Sequence, residues 1–135
     1  MSDFPITIYH NPDCGTSRNA LAMIEAAGYR PTIIEYLRSG WTEAQLADLL
    51  AAMHARPGDL LREKGTPAAE LGLLDPATDD ATIVGAMIEH PILVNRPIVV
   101  TPMGTRLCRP SEQVLALLES QPASFTKEDG EIVKP

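Results

Sequence analysis

The feature that most constrains the fold lies near the start of the chain. Ile6-Thr7-Ile8-Tyr9-His10 reads as a strand, with β-branched and aromatic residues in short alternation. Asn11-Pro12-Asp13 breaks it, because Pro12 holds Asn11 extended and brings no donor to a ladder. Ala20, Leu21, Ile24 and Ala27 then recur at helical spacing, with Gly28 where a left-handed stop belongs. Thr32-Ile33-Ile34-Glu35-Tyr36-Leu37 is a second strand. Strand, helix and strand in so short a stretch predict a βαβ unit with parallel strands.

The middle of the chain is helical in pattern. Thr42 with Gln45 forms a capping box that opens a helix burying Leu46, Leu49, Leu50 and Met53. Pro57 begins a short helix holding Leu60, Leu61 and Arg62, and Thr66-Pro67 begins another that ends at Gly72. Asp79 or Thr78 caps a longer helix carrying Ile83, Val84, Met87 and Ile88, and Pro91 marks its end. Ile98-Val99-Val100-Thr101 is a buried strand. The turn Pro102-Met103-Gly104 returns it as Thr105-Arg106-Leu107-Cys108. Pro110-Ser111-Glu112 starts a last helix with Val114, Leu115, Leu117 and Leu118 on its face, and after Ser120 the chain turns polar. This string predicts an α/β fold: a mixed four-stranded sheet flanked by helices, with a helical insertion in the middle. One domain over 1–135 is expected, with the insertion at about 40–91 and a tail at about 120–135.

Charge and composition narrow the function. The chain of 135 residues carries 11 Lys+Arg against 18 Asp+Glu, a formal net charge of −7. That lacks the basic footprint of a nucleic-acid binder. No apolar run approaches the ~20 residues that span a bilayer, and Met1-Ser2-Asp3-Phe4 is unlike a signal peptide. A small soluble cytoplasmic protein is expected, monomeric by default. Eight of the eleven basic residues are Arg, the side chain whose planar fork matches oxyanions.

Cys14 is the sharpest chemical feature. It follows a strand and a proline turn and opens a helix, where unpaired N–H groups and the macrodipole lower a thiol pKa. Asp13 opposes this. His10 offers positive charge or a hydrogen bond, and the Ser17 hydroxyl, three residues on, can face the sulfur. On residues alone, Cys14 reads equally as a nucleophile and as an inert buried cysteine. Cys14-Gly15-Thr16-Ser17 has serine where a dithiol enzyme has its second cysteine, so it closes no loop disulfide. A phosphatase loop would place Arg at position 20, which is Ala20. Any oxyanion at Cys14 therefore needs arginines from elsewhere, and Arg62, Arg96 and Arg109 each stand at an element end, where a solvated surface role is the plainer alternative. X–Pro bonds are cis in only about 5% of cases, so residues alone leave Pro97 trans. Cys108 reads as packing. His54 and His90 suit helix C-termini, and no metal-ligand spacing is present.

Three stretches carry a resemblance. Ile6 to Asn19 resembles the active-site segment of the glutaredoxin-dependent arsenate reductases. So does the run from His90 through Thr101-Pro102 and Gly104-Thr105-Arg106-Leu107-Cys108-Arg109-Pro110-Ser111-Glu112, and so does the tail Phe125-Thr126-Lys127-Glu128-Asp129-Gly130. The resemblance spans nearly the whole chain. It implies a thioredoxin-like fold with a cis bond before Pro97. It also implies Cys14 as nucleophile, His10 and Ser17 as its supports, and Arg62, Arg96 and Arg109 as oxyanion binders. The implied reaction reduces arsenate to arsenite through a Cys14–arsenic thioester, with glutathione as co-substrate, glutaredoxin as partner and no tightly bound cofactor. Two other readings use the same fold: a redox regulator of the kind that binds RNA polymerase, and a glutathione-dependent thiol reductase without arsenate activity. The regulators tend to carry two loop cysteines. A plain thiol reductase needs no arginine cradle.

Overall fold

The computed structural model describes residues 4–122 and 124–134. The chain divides into two compact units, Met1–Glu35 with Arg96–Pro135, and Tyr36–Asn95.

The first unit holds the sheet. Strand β1 (Thr7–Tyr9) leads through the proline turn into helix α1 (Gly15–Ala26), which ends before Gly28 at φ 98° and returns as β2 (Thr32–Ile34). β1 and β2 pair in parallel, Ile8 opposite Ile33. β3 (Ile98–Thr101) lies antiparallel on the other side of β1, and β4 (Gly104–Leu107) closes the hairpin. The order β2-β1-β3-β4 is the expected mixed sheet. Its core joins Ile6, Ile8 and Val99 from the sheet with Ala20, Met23 and Ile24 of α1 and with Val114, Leu115 and Leu117. Ile8 is completely buried. Ile8→Ala removes that side chain from a packed centre and is expected to cost about 2–5 kcal/mol of stability, read as a lower urea midpoint.

Several elements differ from the sequence expectation. The second strand stops at Ile34, and Tyr36–Ser39 form a single helical turn, α2. The last helix, Ser111–Leu117, is a 3-10 helix. Apolar residues three apart share a side in a 3-10 helix as in an α-helix, so the pattern does not separate the two. The tail contains a small hairpin, β5 (Phe125–Thr126) with β6 (Ile132–Val133), whose Phe125 and Val133 pack against the core.

The second unit is helical. Helix α3 (Glu43–Met53) opens on the Thr42/Gln45 capping box, with both reciprocal bonds formed, and ends on His54 in the left-handed region. Helix α4 (Asp80–Glu89) opens on Asp79, whose carboxylate accepts the Thr82 amide at 2.8 Å, and ends on His90. Short 3-10 turns occupy Pro57–Leu60 and Pro91–Leu93. The segment from Thr66 to Gly72 forms successive turns instead of the expected helix. Its Thr66 hydroxyl donates to the Arg62 carbonyl at 2.6 Å and accepts the Ala68 amide. Side chain–backbone bonds of this kind compete with helix formation. Within this unit, Tyr36 Oη bonds the Val94 carbonyl at 3.3 Å and Leu61 bridges to Val94.

Candidate active site around Cys14

The turn before Cys14 is built by Asn11. Its backbone carbonyl accepts the Cys14 amide at 3.0 Å, its Oδ1 accepts the Asp13 amide at 2.9 Å, and its own amide donates to Ser17 Oγ at 3.1 Å. These bonds close a tight turn and leave Cys14 as the N-cap of α1, in extended conformation with no capping bond from its side chain. The sulfur is thus released from the capping role that Ser or Asp would fill. Asn11 is a positioning residue that sequence reasoning read only as a strand breaker. The visible signal was the Asn-Pro-Asp turn, and its chemistry lies in the bonds that turn makes.

Two cis bonds frame the other side. Arg96–Pro97, expected from the resemblance, and Arg109–Pro110, not anticipated, are both cis. Arg109 Nη1 donates to the Arg96 carbonyl at 2.9 Å and reaches Cys14 Sγ at 3.8 Å. The Arg96 side chain and the Ser17 backbone amide also favour the ionised sulfur.

These contacts set the state of the thiol. Burial works to raise the Cys14 pKa, since Cys14 is only 8% exposed. The bonds from Arg96, the Ser17 amide and Arg109, with the Arg96 charge, outweigh it and bring the thiol down from 9.0 to about 7. At neutral pH about half the Cys14 is then thiolate, against roughly one part in a hundred for the unshifted thiol. The folded thiol ionises before that of the unfolded chain. Its ionisation therefore favours the folded state increasingly as pH rises from about 7 to 9.0, and that gain is lost as pH falls through the folded value. Cys108 behaves oppositely. It is fully buried in the core, and desolvation pushes it up to about 12. Both cysteines are free. Alkylation by iodoacetamide is expected to modify one thiol, Cys14, with a rate that climbs through about pH 7. A profile climbing only near 9.0 would contradict the geometry.

His10 and Ser17 come together, with His10 in its hydrogen-bonding role. Ser17 Oγ lies 2.8 Å from His10 Nδ1, and both residues are buried. Burial lowers the His10 pKa, against the raising influence of Glu35 and Glu25, so near neutral pH the imidazole carries no compensating charge. Because Ser17 Oγ accepts from Asn11, its own proton is available to Nδ1, which places the ring proton on Nε2. His10 thus fixes the serine, and the serine faces the sulfur with its backbone amide. Arg62 belongs to the second unit, where its amide donates to the Leu93 carbonyl at 2.7 Å and its Nη1 lies 3.4 Å from Asn95 Oδ1.

A thiolate at a helix N-terminus on a thioredoxin-like sheet, with two guanidinium groups on the sulfur, defines a single-thiol enzyme suited to oxyanions. The sequence relatives are of that kind. Residues 9–117 match the ArsC family, and the chain belongs to it. It is 59% identical over 134 residues to an arsenate reductase of Synechocystis sp., covering 98% of this chain and 93% of that protein. It is 54% identical over 129 residues to the arsenate reductase of Escherichia coli strain K12, covering 95% and 92%. Among solved structures, the arsenate reductase of Vibrio cholerae aligns with a TM-score of 0.81 at 37% identity, over 87% of this chain and all of that one.

Proposed function

We propose that this protein is an arsenate reductase that works through Cys14. The observation that carries the reading is the geometry at the sulfur: Cys14 caps α1 with Arg109 Nη1 3.8 Å from its Sγ, in surroundings that, with Arg96, draw the thiol pKa down. Identity of 54–60% to curated arsenate reductases over nearly the full chain supports the substrate.

In this mechanism Arg96 and Arg109 hold the arsenate oxygens beside the sulfur that they also stabilise. Cys14 thiolate attacks arsenic, an As–S bond forms, and an oxygen leaves as hydroxide, which is protonated to water. Glutathione adds its sulfur to the arsenic, releasing a second water. Glutaredoxin thiolate then attacks the glutathione sulfur. That S–S bond forms as the As–S bond to glutathione breaks, and the electron pair stays on arsenic, reducing it from five-valent to three-valent. Water cleaves the remaining As–S bond, releasing arsenite and Cys14. One arsenic gains two electrons and two thiols lose them, so a single enzyme cysteine suffices. The chemistry belongs in the cytoplasm, where thiols are kept reduced; no helix among the described residues is long and apolar enough to cross a membrane. Ser17 and His10 support the thiolate. The substrate-binding role of Arg62 rests on the family resemblance, and Arg62→Ala tests it by a raised KM for arsenate.

The test is NADPH oxidation coupled through glutathione reductase, glutathione and glutaredoxin. Oxidation that requires arsenate and each thiol component is expected. Oxidation that proceeds undiminished without glutaredoxin would remove that partner, and none at all from folded protein would remove the reaction.

A further inference from the structure

The tail hairpin makes contacts that the proposed chemistry has not used. Two successive residues of it reach two different elements. Lys127 Nζ bonds Glu112 Oε1 at 2.6 Å and Glu131 Oε1 at 3.0 Å, and its side chain is only 9% exposed. Glu112 stands in the first turn of the 3-10 helix, three residues after Arg109. The Glu128 carboxylate accepts both Nε and Nη2 of Arg18, at 2.8 and 3.0 Å, and its amide donates to Asn19 Oδ1 at 3.1 Å. Arg18 lies in the first turn of α1, and its Nη1 donates to the Pro12 carbonyl at 2.8 Å. One arginine therefore ties the hairpin both to the helix that Cys14 caps and to the loop that leads into it. The hairpin is itself held, by Phe125 and Val133 in the core and by the Lys127 amide on the Glu131 carbonyl at 2.8 Å.

We propose that Lys127 and Glu128 are positioning residues for the reaction, fastening the Cys14 end of α1 to the Arg109 end of the 3-10 helix and so setting the distance between sulfur and guanidinium. The proposal rests on Cys14 being the nucleophile. The distance in question leaves little slack: at 3.8 Å a guanidinium–sulfur hydrogen bond is near its limit, and a small separation of the two segments ends it. Both ends of the clamp are charge-assisted, and the Arg18–Glu128 pair is bidentate, a geometry that fixes orientation as well as attraction.

The charged groups around the thiol make the test decisive. Arg96 and Arg109 bond the sulfur, Arg18 acts on it from α1, Asp13 precedes it in the chain, and Glu128 pairs Arg18. If Glu128 acted by charge alone, Glu128→Gln would remove a negative charge and lower the Cys14 pKa. If it acts as a clamp, the same change loosens Arg109 from the sulfur and raises the pKa. The experiment is the pH dependence of Cys14 alkylation by iodoacetamide in the full chain, for which buried Cys108 is silent. In Glu128→Gln the midpoint is expected to rise by about half a unit or more, with about a twofold slower rate at pH 7. Glu128→Asp keeps the charge but shortens the reach by one carbon, and is expected to move the midpoint the same way. A midpoint unchanged or lowered in Glu128→Gln, or unchanged in Glu128→Asp, would overturn the proposal. Glu128 is half exposed, so both variants are expected to unfold near the wild-type temperature. The measurement uses no arsenate, so its failure is separate from any failure of the proposed reaction.

Discussion

Cys14→Ser is expected to abolish arsenite formation, with a fall of at least about a thousandfold in the coupled assay. The cradle would survive the change, because Arg96, Arg109 and the Ser17 amide all come from elsewhere in the chain. What would be lost is ionisation. A serine hydroxyl keeps its proton in surroundings that bring a thiol to about 7. Stability is expected to hold or rise, since Cys14 makes no capping bond and serine at an N-cap accepts one from the first turn. The pairing of dead chemistry with an intact melting curve separates a lost nucleophile from a lost fold. Substantial turnover in the variant would refute the assignment.

The second large effect is expected at Arg109. It touches the sulfur and braces the Arg96 carbonyl at 2.9 Å, and in the proposed mechanism it also holds the oxyanion. Arg109→Ala is expected to move the alkylation midpoint up from about 7 toward 9.0 and to lower kcat/KM for arsenate by about 10²–10³-fold, the loss typical of a removed oxyanion donor. Lysine is not expected to rescue it, because an ammonium lacks the planar fork that bonds an oxyanion through a second nitrogen while Nη1 holds the carbonyl and the sulfur. A change below about threefold in kcat/KM, a loss too small for an oxyanion donor, would take Arg109 out of the mechanism.

The sheet was legible because β1, β2 and β3 are short and β-branched with a proline near one end, and β4 follows β3 through the Pro102-Met103-Gly104 turn. Ile6 to His10 ends at Pro12, and Ile98 to Thr101 ends at Pro102. The caps were legible for the same local reason: Thr42/Gln45 and Asp79 act within four residues. Cys14 could be placed from its neighbours but not assigned from them. A buried inert cysteine and a nucleophile share that position, and only the arginines decide between them. Those arginines lie 82 or more residues away in the chain, beyond the reach of local pattern.

The misread parts share a cause. The Ser17 hydroxyl could have faced the sulfur, yet it is occupied by His10 and Asn11, and it is the backbone amide that favours the ionised sulfur. Side-chain identity carries no information about an amide. Of the two roles open to His10, positive charge or a hydrogen bond, burial disfavours the charge and the hydrogen bond to Ser17 Oγ is formed. The tail hairpin has strands of two residues each, too short for any alternation to register. It is held by ion pairs of Glu128 with Arg18 and of Lys127 with Glu112, partners that local pattern does not link.

The overall charge of −7 bears little on capture of the substrate. Screening over about 8 Å at physiological salt leaves the local arginines in control. The central claim, that the ionised Cys14 sulfur and the arsenate occupy one site, is tested most directly by measuring how arsenate affects the alkylation rate of Cys14 at pH 7. Saturable protection, reaching tenfold or about that and absent in Arg109→Ala at the same arsenate concentration, is the expected result. A rate that does not respond to arsenate at any concentration would contradict the claim.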